Sequence, residues 1–256
     1  MLTVATWNIN SLRARLPLVL RYLDERPIDV LCLQETRTSD AAFPRGEFET
    51  RGYHVAAAGT GGYAGVAILS RAPIDEVVVG LSGFVEAKAP GRRIACRTGG
   101  VWIDTVYVPT RMKIGKAEFL DALRVDRAER FGGEGILAGD FNICWDARDY
   151  ASPTMISDPE VHPGRPEDLA FRRLVEPSLV DCFRTLEPAT GHFSWFPITA
   201  WALKRNYGMR LDYVFASSTL AGRVVEAAHD RDTRSWPRPS DHLPVRARFD
   251  CVFPVP

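Results

Sequence analysis

Asp140 and Asn142 stand two residues apart, directly after the apolar run Ile136-Leu137-Ala138-Gly139. That run has the pattern of a short buried strand ending at a glycine. The carboxylate and the amide would then project beyond the strand end, where folds with open sheets bind ligands. An aspartate can act as a base or a metal ligand, and an asparagine as a fixed neutral dipole, a combination suited to an anionic transition state. Taken alone, the stretch is better explained as an Asx turn capping a strand. Similar endings elsewhere in the chain change that balance. Leu2–Trp7 runs into Asn8 and Asn10, Asp29–Leu33 into Gln34 and Glu35, and Val101–Val106 into Tyr107. Asp212 lies near the start of the strand pattern Arg210–Phe215, and Asp241-His242 precede the last one. A lone histidine is more often structural than catalytic. This one adjoins a carboxylate, and Asp212 is a second candidate to orient its ring.

The elements that must position these groups follow from local pattern. Leu2–Trp7 alternates as a strand does, and Ser11 can cap the helix after it. Leu12, Leu16, Val19, Leu20 and Leu23 share one face of that helix. Arg13, in its first turn, opposes the helix dipole, which suggests a phosphate-facing role. Asp29–Leu33 reads as a strand buried on both faces. Gly59–Gly65, containing Tyr63, matches neither a P-loop nor a dinucleotide fingerprint. Val66–Leu69 and Val77–Val79 read as strands. Thr98-Gly99-Gly100 marks a hairpin, so the sheets are not purely parallel. Pro109 ends the strand after Tyr107, and Arg111, Lys113 and Lys116 follow as a basic cluster. A helix is expected across Phe119, Leu120, Leu123, Ala128 and Phe131, and a shorter one across Leu169, Phe171, Leu174 and Val175, ended by Pro177. Between them, Asp146–Pro166 holds four prolines and reads as a long ordered loop. His192-Phe193-Ser194-Trp195-Phe196, Trp201, Lys204 and Arg205 mix aromatic and basic residues, as a loop that stacks on nucleic acid would. An aromatic cluster packed beneath a loop is the equal alternative.

The 256-residue chain is 46% hydrophobic and 25% charged, with formal net charge zero. That is an ordinary globular composition, long enough for a full core. Neutrality announces no polyanion partner, although the placement of charge matters more than its sum. The five cysteines are scattered and form no CxxC pair, which argues against zinc or a disulfide framework and for a reduced intracellular chain. The N-terminus has no signal-peptide pattern, and no apolar run reaches membrane-spanning length. A cytoplasmic location and no membrane partner are expected.

Together these segments resemble the endonuclease/exonuclease/phosphatase family, in the branch of exodeoxyribonuclease III and the abasic-site endonucleases. The resemblance rests on Thr6-Trp7-Asn8-Ile9-Asn10-Ser11-Leu12-Arg13-Ala14-Arg15, Leu33-Gln34-Glu35-Thr36, Gly62–Ser70, Tyr107-Val108-Pro109, Gly139-Asp140-Phe141-Asn142, Phe193-Ser194-Trp195-Phe196, Arg210-Leu211-Asp212-Tyr213 and Ser240-Asp241-His242, in the family's order. Any one of them is weak; the ordered set is strong. Tyr107 favours the DNA-repair branch, because the deoxyribonuclease I, sphingomyelinase and inositol-phosphatase branches usually carry a second histidine there.

The resemblance implies an α/β fold of two mixed β-sheets packed face to face with flanking helices, a four-layer sandwich, and residues 1–256 as one catalytic domain. It implies a Mg²⁺-dependent phosphodiester hydrolase in which Mn²⁺ can substitute. Glu35 would lead the metal ligands, with Asn8, Asp140, Asn142, Asp241 and His242 as further candidates. Hard oxygen donors suit such ions better than zinc. Tyr107, Asp140, Asn142, Asp212 and His242 would be catalytic. Asp212 would hold the His242 ring cationic, Asp140 would orient or deprotonate water, and Asn142 would hold the phosphate. Tyr107 would contact the phosphate or assist the leaving oxygen. Asn10, Arg13, Tyr107, Trp195 and Met209 would contact DNA, with a basic face drawn from Arg13, Arg15, Arg111, Lys113, Lys204, Arg205, Arg234 and Arg238. The implied activities are incision 5′ to abasic sites and 3′-to-5′ exonuclease or end trimming on duplex DNA, by a monomer in base-excision repair. Two departures stand out: Ser11 replaces the usual glycine, and Met209 occupies a wall of the pocket for the base-free sugar. The competing expectations are a same-fold hydrolase of RNA or a phosphorylated small molecule, and a non-catalytic RNA-associated regulator.

Overall fold

The computed structural model describes residues 1–82, 84, 90–109, 115–156, 164–176, 178–199 and 201–254. Twelve strands form two six-stranded mixed sheets. The first contains β1 (Leu2–Asn8), β2 (Val30–Gln34), β3 (His54–Ala58), β4 (Val66–Ser70), β11 (Val224–His229) and β12 (Val245–Phe249), in the order β11-β12-β1-β2-β4-β3. The second contains β5 (Ile74–Val79), β6 (Arg93–Thr98), β7 (Val101–Tyr107), β8 (Ile136–Asp140), β9 (Leu179–Asp181) and β10 (Asp212–Ser217), in the order β5-β6-β7-β8-β10-β9.

The sheets pack face to face because their strands are apolar on both sides. Leu2, Val4, Val30, Cys32, Ile68, Ile103, Ile136, Ala138, Val214 and Val245 meet between the sheets. The alternate residues Trp7, Leu31, Leu33 and Leu69 face the Leu12–Glu25 helix. Leu137, Tyr213 and Phe215 face the Lys116–Phe131 and Pro166–Val175 helices on the other side. This is the four-layer sandwich that the family resemblance implies. Period two then decides where the polar groups go. Counting onward in each inner row brings Asn8, Gln34, Tyr107, Asp140 and Asp212 to the face between the sheets. Register aligns them: Asn8 pairs with Gln34, and Asp140 with both Tyr107 and Asp212. A one-residue slip would turn every one of them outward and move the apolar rows as well. At roughly 1.5–3 kcal/mol for each large apolar side chain displaced, the core itself holds this register.

The hairpin at Gly99-Gly100 forms as expected, with φ of 54° and 79° at the two glycines. Other details differ from expectation. Ser11 stands at the N-cap position of its helix but makes no capping bond; its φ of 87° turns the chain after Asn10 instead. Leu16 and Leu20 are only partly buried. Leu169 is half exposed. Strand β10 begins at Asp212 and not at Arg210, which is drawn into ion pairs with Asp149 and Asp181. The stretch read as one loop contains a 3₁₀ turn at Ala147–Asp149 and a short helix at Pro153–Ile156. Residues 157–163, Arg111, Lys113 and Pro177 lie outside the described residues. Among the described residues, no helix is long and apolar enough to cross a membrane.

Gly139 has φ of 153°, and a Cβ there would lie 2.2 Å from the Val106 carbonyl oxygen. Gly139→Ala should therefore push β8 from β7 and destabilise the protein by about 2–3 kcal/mol. Urea unfolding measures this, and a loss below about 0.5 kcal/mol would show that the contact is easily relieved.

Candidate active site

The polar groups at this end of the sandwich form two linked sets. In the first, the Asn8 side-chain amide donates to Glu35 Oε1 and to Asp140 Oδ2, both at 2.8 Å. One amide thus joins carboxylates carried by different sheets. Its orientation is fixed, because Asn8 Oδ1 accepts the Asn10 backbone N–H at 3.0 Å. In the second set, His242 Nδ1 lies 2.8 Å from Asp212 Oδ2, and Nε2 lies 3.8 Å from Asp140 Oδ2. The Ser194 hydroxyl donates to the same Asp212 oxygen at 2.6 Å and accepts the Leu211 and Asp212 backbone N–H groups.

Burial and charge set the protonation states. Burial pushes the Asp140 carboxyl up to about 7; the neighbouring Asp212 and Glu35 charges add to the rise, while His242 and the Asn8 amide oppose it. Burial disfavours the His242 cation, but Asp212 and then Asp140 outweigh it and raise the imidazolium to about 10. The raised value means that this ion pair stabilises the fold fully below about pH 6.5 and loses that contribution as pH climbs toward about 10. Burial, reinforced by Glu35 and Asp140, also raises the Tyr107 phenol, so near neutrality it is a donor and not a phenolate. Burial would raise the Asp241 carboxyl too, yet the His242 charge and bonds from Asn10 and Trp195 hold it below the ordinary range.

The backbone around the site is unusual. Asn10, Ser11, Glu35, Arg37 and Asn142 all have positive φ, between 46° and 87°. Asparagine tolerates this region; glutamate and arginine seldom enter it. Such strain collects where the surroundings over-determine the chain. Here Arg15 donates to the carbonyls of Ile9, Asn10 and Arg238, and Lys116 donates to the Asn142 carbonyl at 2.8 Å. Asn142 in turn donates its amide to the Val108 carbonyl and its backbone N–H to Asp140 Oδ1.

A model described as the endonuclease/exonuclease/phosphatase family matches residues 5–242. The chain belongs to that family. It is 31% identical over 255 residues to the exodeoxyribonuclease of Bacillus subtilis, covering 94% of this chain and 96% of that protein. Its fold matches an AP endonuclease from Archaeoglobus fulgidus with a TM-score of 0.91 and 32% identity, covering 98% of this chain and all of the other. A 3′ phosphatase from Neisseria, solved with a product DNA hairpin, matches with a TM-score of 0.91 and 31% identity over 98% of this chain and 100% of that one.

Within this family frame the expected metal ligands have different surroundings. Asn8 turns its amide hydrogens, not its oxygen, toward Glu35 and Asp140. His242 turns Nδ1 to Asp212 and Nε2 toward Asp140. Asp140, Asp212 and His242 do bring one ligand atom each within 4.8 Å of one another, but as an ion-pair relay. Asp241 lies outside that cluster, with Oδ1 accepting Asn10 and Oδ2 accepting Trp195 Nε1. Glu35 Oε1 and Asp140 Oδ2 converge on the Asn8 amide, and hard oxygens of this kind suit a divalent cation.

The expected nucleic-acid contacts divide in the same way. Asn10 and Trp195 hold Asp241. Met209 bridges Trp195 and Tyr150 in a half-buried patch with Cys144 and Leu211. Arg15 and Arg234 are engaged with backbone carbonyls, and Lys116 with Asn142, so they do not belong to an open basic face. Arg13, Lys204, Arg205 and Arg238 are exposed. Trp201 is exposed too, with the Arg205 guanidinium 5.9 Å from its ring centre, whereas Phe193 and Phe196 are buried. Sequence pattern alone does not single out Ser194 or Arg37 as site residues. Ser194 nevertheless lies inside the Phe193-Ser194-Trp195-Phe196 motif, which is the available signal.

The His242 ring should titrate far above an ordinary histidine in the metal-free protein, and Asp212→Asn should bring it back toward the ordinary value. Imidazole NMR chemical shifts against pH test this; a wild-type midpoint near 6.5 would remove the ion pair.

Proposed function

We propose that this chain is a metal-dependent DNA-repair phosphodiesterase, with residues 1–256 acting as one catalytic domain. Its substrate is duplex DNA, cut on the 5′ side of abasic sites and trimmed at 3′ ends, and it works as a monomer inside the cell. The observation that carries this reading is the cationic His242, paired with Asp212, beside the buried carboxylate of Asp140. A phosphodiester repels anionic attack, so a site for it needs fixed positive charge next to a group that can take a proton.

Each residue then has a task. His242 offsets the charge that grows on a non-bridging oxygen, and Asp212 keeps its ring charged and aimed. Asp140, with its carboxyl near neutral pH, orients a water and accepts its proton. Asn142 holds the phosphate, and Tyr107 donates a hydrogen bond to it. Glu35 and Asp140 would hold Mg²⁺, or Mn²⁺ in its place, which when bound supplies Lewis-acid charge to the phosphate. Arg13, Lys204, Arg205 and Arg238 would meet DNA phosphates, so binding should weaken with salt. Met209, Trp195 and Leu211 would wall the space for the sugar lacking a base. The named relatives support this reading, since they include an exodeoxyribonuclease, an AP endonuclease and a 3′ phosphatase.

A duplex carrying one abasic-site analogue should be incised 5′ to the lesion with Mg²⁺ and left intact with EDTA. His242→Ala should fold normally and lose about 10³ in rate, by analogy with removing an oxyanion-stabilising donor. Glu35→Ala should also slow turnover and weaken its response to Mg²⁺. A near-wild-type rate for His242→Ala, or binding of RNA without any cleavage, would overturn the reading.

A further inference from the structure

Arg37 stands outside the chemistry above, yet it touches the carboxylate at its centre. Its Nη2 lies 2.6 Å and its Nε 3.2 Å from one oxygen of Glu35, Oε2. The other oxygen, Oε1, accepts the Asn8 amide. A carboxylate oxygen offers two lone-pair positions, so the two Arg37 N–H groups fill Oε2. The Tyr107 phenol also hydrogen-bonds the Glu35 carboxylate, as a neutral donor that a cation can displace. Oε1 is therefore the one Glu35 oxygen not tied into the ion pair with Arg37.

This arrangement is built into the backbone. Glu35 and Arg37 have φ of 49° and 52°. The glycine-rich Gly59–Gly65 stretch, which matched no nucleotide motif, holds them there. Thr36 N–H donates to the Gly65 carbonyl at 3.1 Å and Arg37 N–H to the Ala64 carbonyl at 3.0 Å. The approach is so close that a Cβ on Gly65 would lie 2.2 Å from Thr36 Oγ1. At the next turn, Gly59 N–H donates to Asp40 Oδ1 at 2.7 Å. Two segments thus fix two unfavourable φ angles so that residues two apart in the chain can place an arginine on a glutamate.

We propose that Arg37 is a specificity-determining positioning residue that acts through Glu35: by capping Oε2 it limits Glu35 to one donor oxygen and selects small divalent cations over Ca²⁺. The inference rests on the reading of Glu35 as a metal ligand. Ca²⁺ favours six to eight oxygens and often takes a carboxylate through both, whereas Mg²⁺ is satisfied by one oxygen from each of one or two carboxylates. The Arg37 charge also repels any cation, though salt screens that part at a half-open site. Lysine cannot reproduce the effect in full, because it lacks the two-pronged donor that fills Oε2.

The test needs no DNA and no turnover. Displacement of protein-bound Mn²⁺ by Mg²⁺ or Ca²⁺ is followed through the EPR signal of free Mn²⁺ in wild type, Arg37→Ala, Arg37→Lys and Glu35→Gln. Arg37→Ala should bind both ions more tightly and Ca²⁺ disproportionately, shifting the Ca²⁺-to-Mg²⁺ affinity ratio by on the order of fivefold. Arg37→Lys, which retains the charge and guards against a folding defect, should fall between Arg37→Ala and wild type. If Glu35→Gln weakens binding while Arg37→Ala leaves the ratio unchanged, the role of Arg37 is wrong and Glu35 stands as a ligand. If Glu35→Gln leaves Mn²⁺ binding unchanged, Glu35 is not a ligand and both readings fall.

Discussion

One side-chain amide holds the two halves of this molecule in functional register. Asn8, on the last residue of a strand in one sheet, donates to Glu35 of its own sheet and to Asp140 of the other. Two carboxylates are thereby kept close in a region of low polarisability, where their repulsion is strong and water cannot relieve it. A neutral amide can bridge them but cannot neutralise them. The His242–Asp212 pair also links the sheets, since His242 leads into β12 of the first sheet and Asp212 opens β10 of the second. The active-site geometry thus depends on how the sheets sit on each other, and the sheets are set by the apolar rows between them.

Between those rows and the carboxylates lies an intermediate layer. Gln34 reaches from the first sheet to donate to Thr6 Oγ1 at 2.8 Å and across to Thr105 Oγ1 at 2.9 Å. The interior passes from aliphatic residues to hydroxyls and an amide, then to acids, within a few strand positions. Each step softens the cost of burying the next, because polar groups with partners are far cheaper to bury than those without. Beyond β10, Arg210 plays the corresponding role for the chain entering the strand: its guanidinium binds Asp149 and Asp181, and its backbone N–H binds the Asp149 carbonyl. The arginine of the Arg210-Leu211-Asp212 motif is thus tied down by ion pairs, while Asp212, two residues on, pairs with His242.

Strand ends were legible because hydrophobic period and turn residues are local signals. The Gly99-Gly100 hairpin, the buried run before Gly139 and the helix ending at Phe131 all follow from them. The pairing of Asp212 with His242 was also legible, from residue type alone. What could not be read was the direction of hydrogen bonds. Asn8 offers either a donor or an acceptor, and only the position of the Asn10 N–H decides which. The charge on His242 follows from its partners, because Asp212 and Asp140 outweigh a burial that disfavours the cation. Arg37 escaped notice because an arginine two residues from a glutamate normally points away from it; the positive φ angles that bring them together are imposed by the distant Gly59–Gly65 segment. The Ser11 cap failed for a related reason: the chain spends that residue on a turn.

The central claim is that Asp140 is a buried carboxylate whose negative charge His242 and the Asn8 amide offset only in part. The most direct measurement is the pH titration of ¹³C-labelled Asp140 by carboxyl NMR, with and without Mg²⁺. A metal-free midpoint near 7, falling well below that when Mg²⁺ is added, is the expected result. An ordinary aspartate midpoint that ignores Mg²⁺ would contradict it.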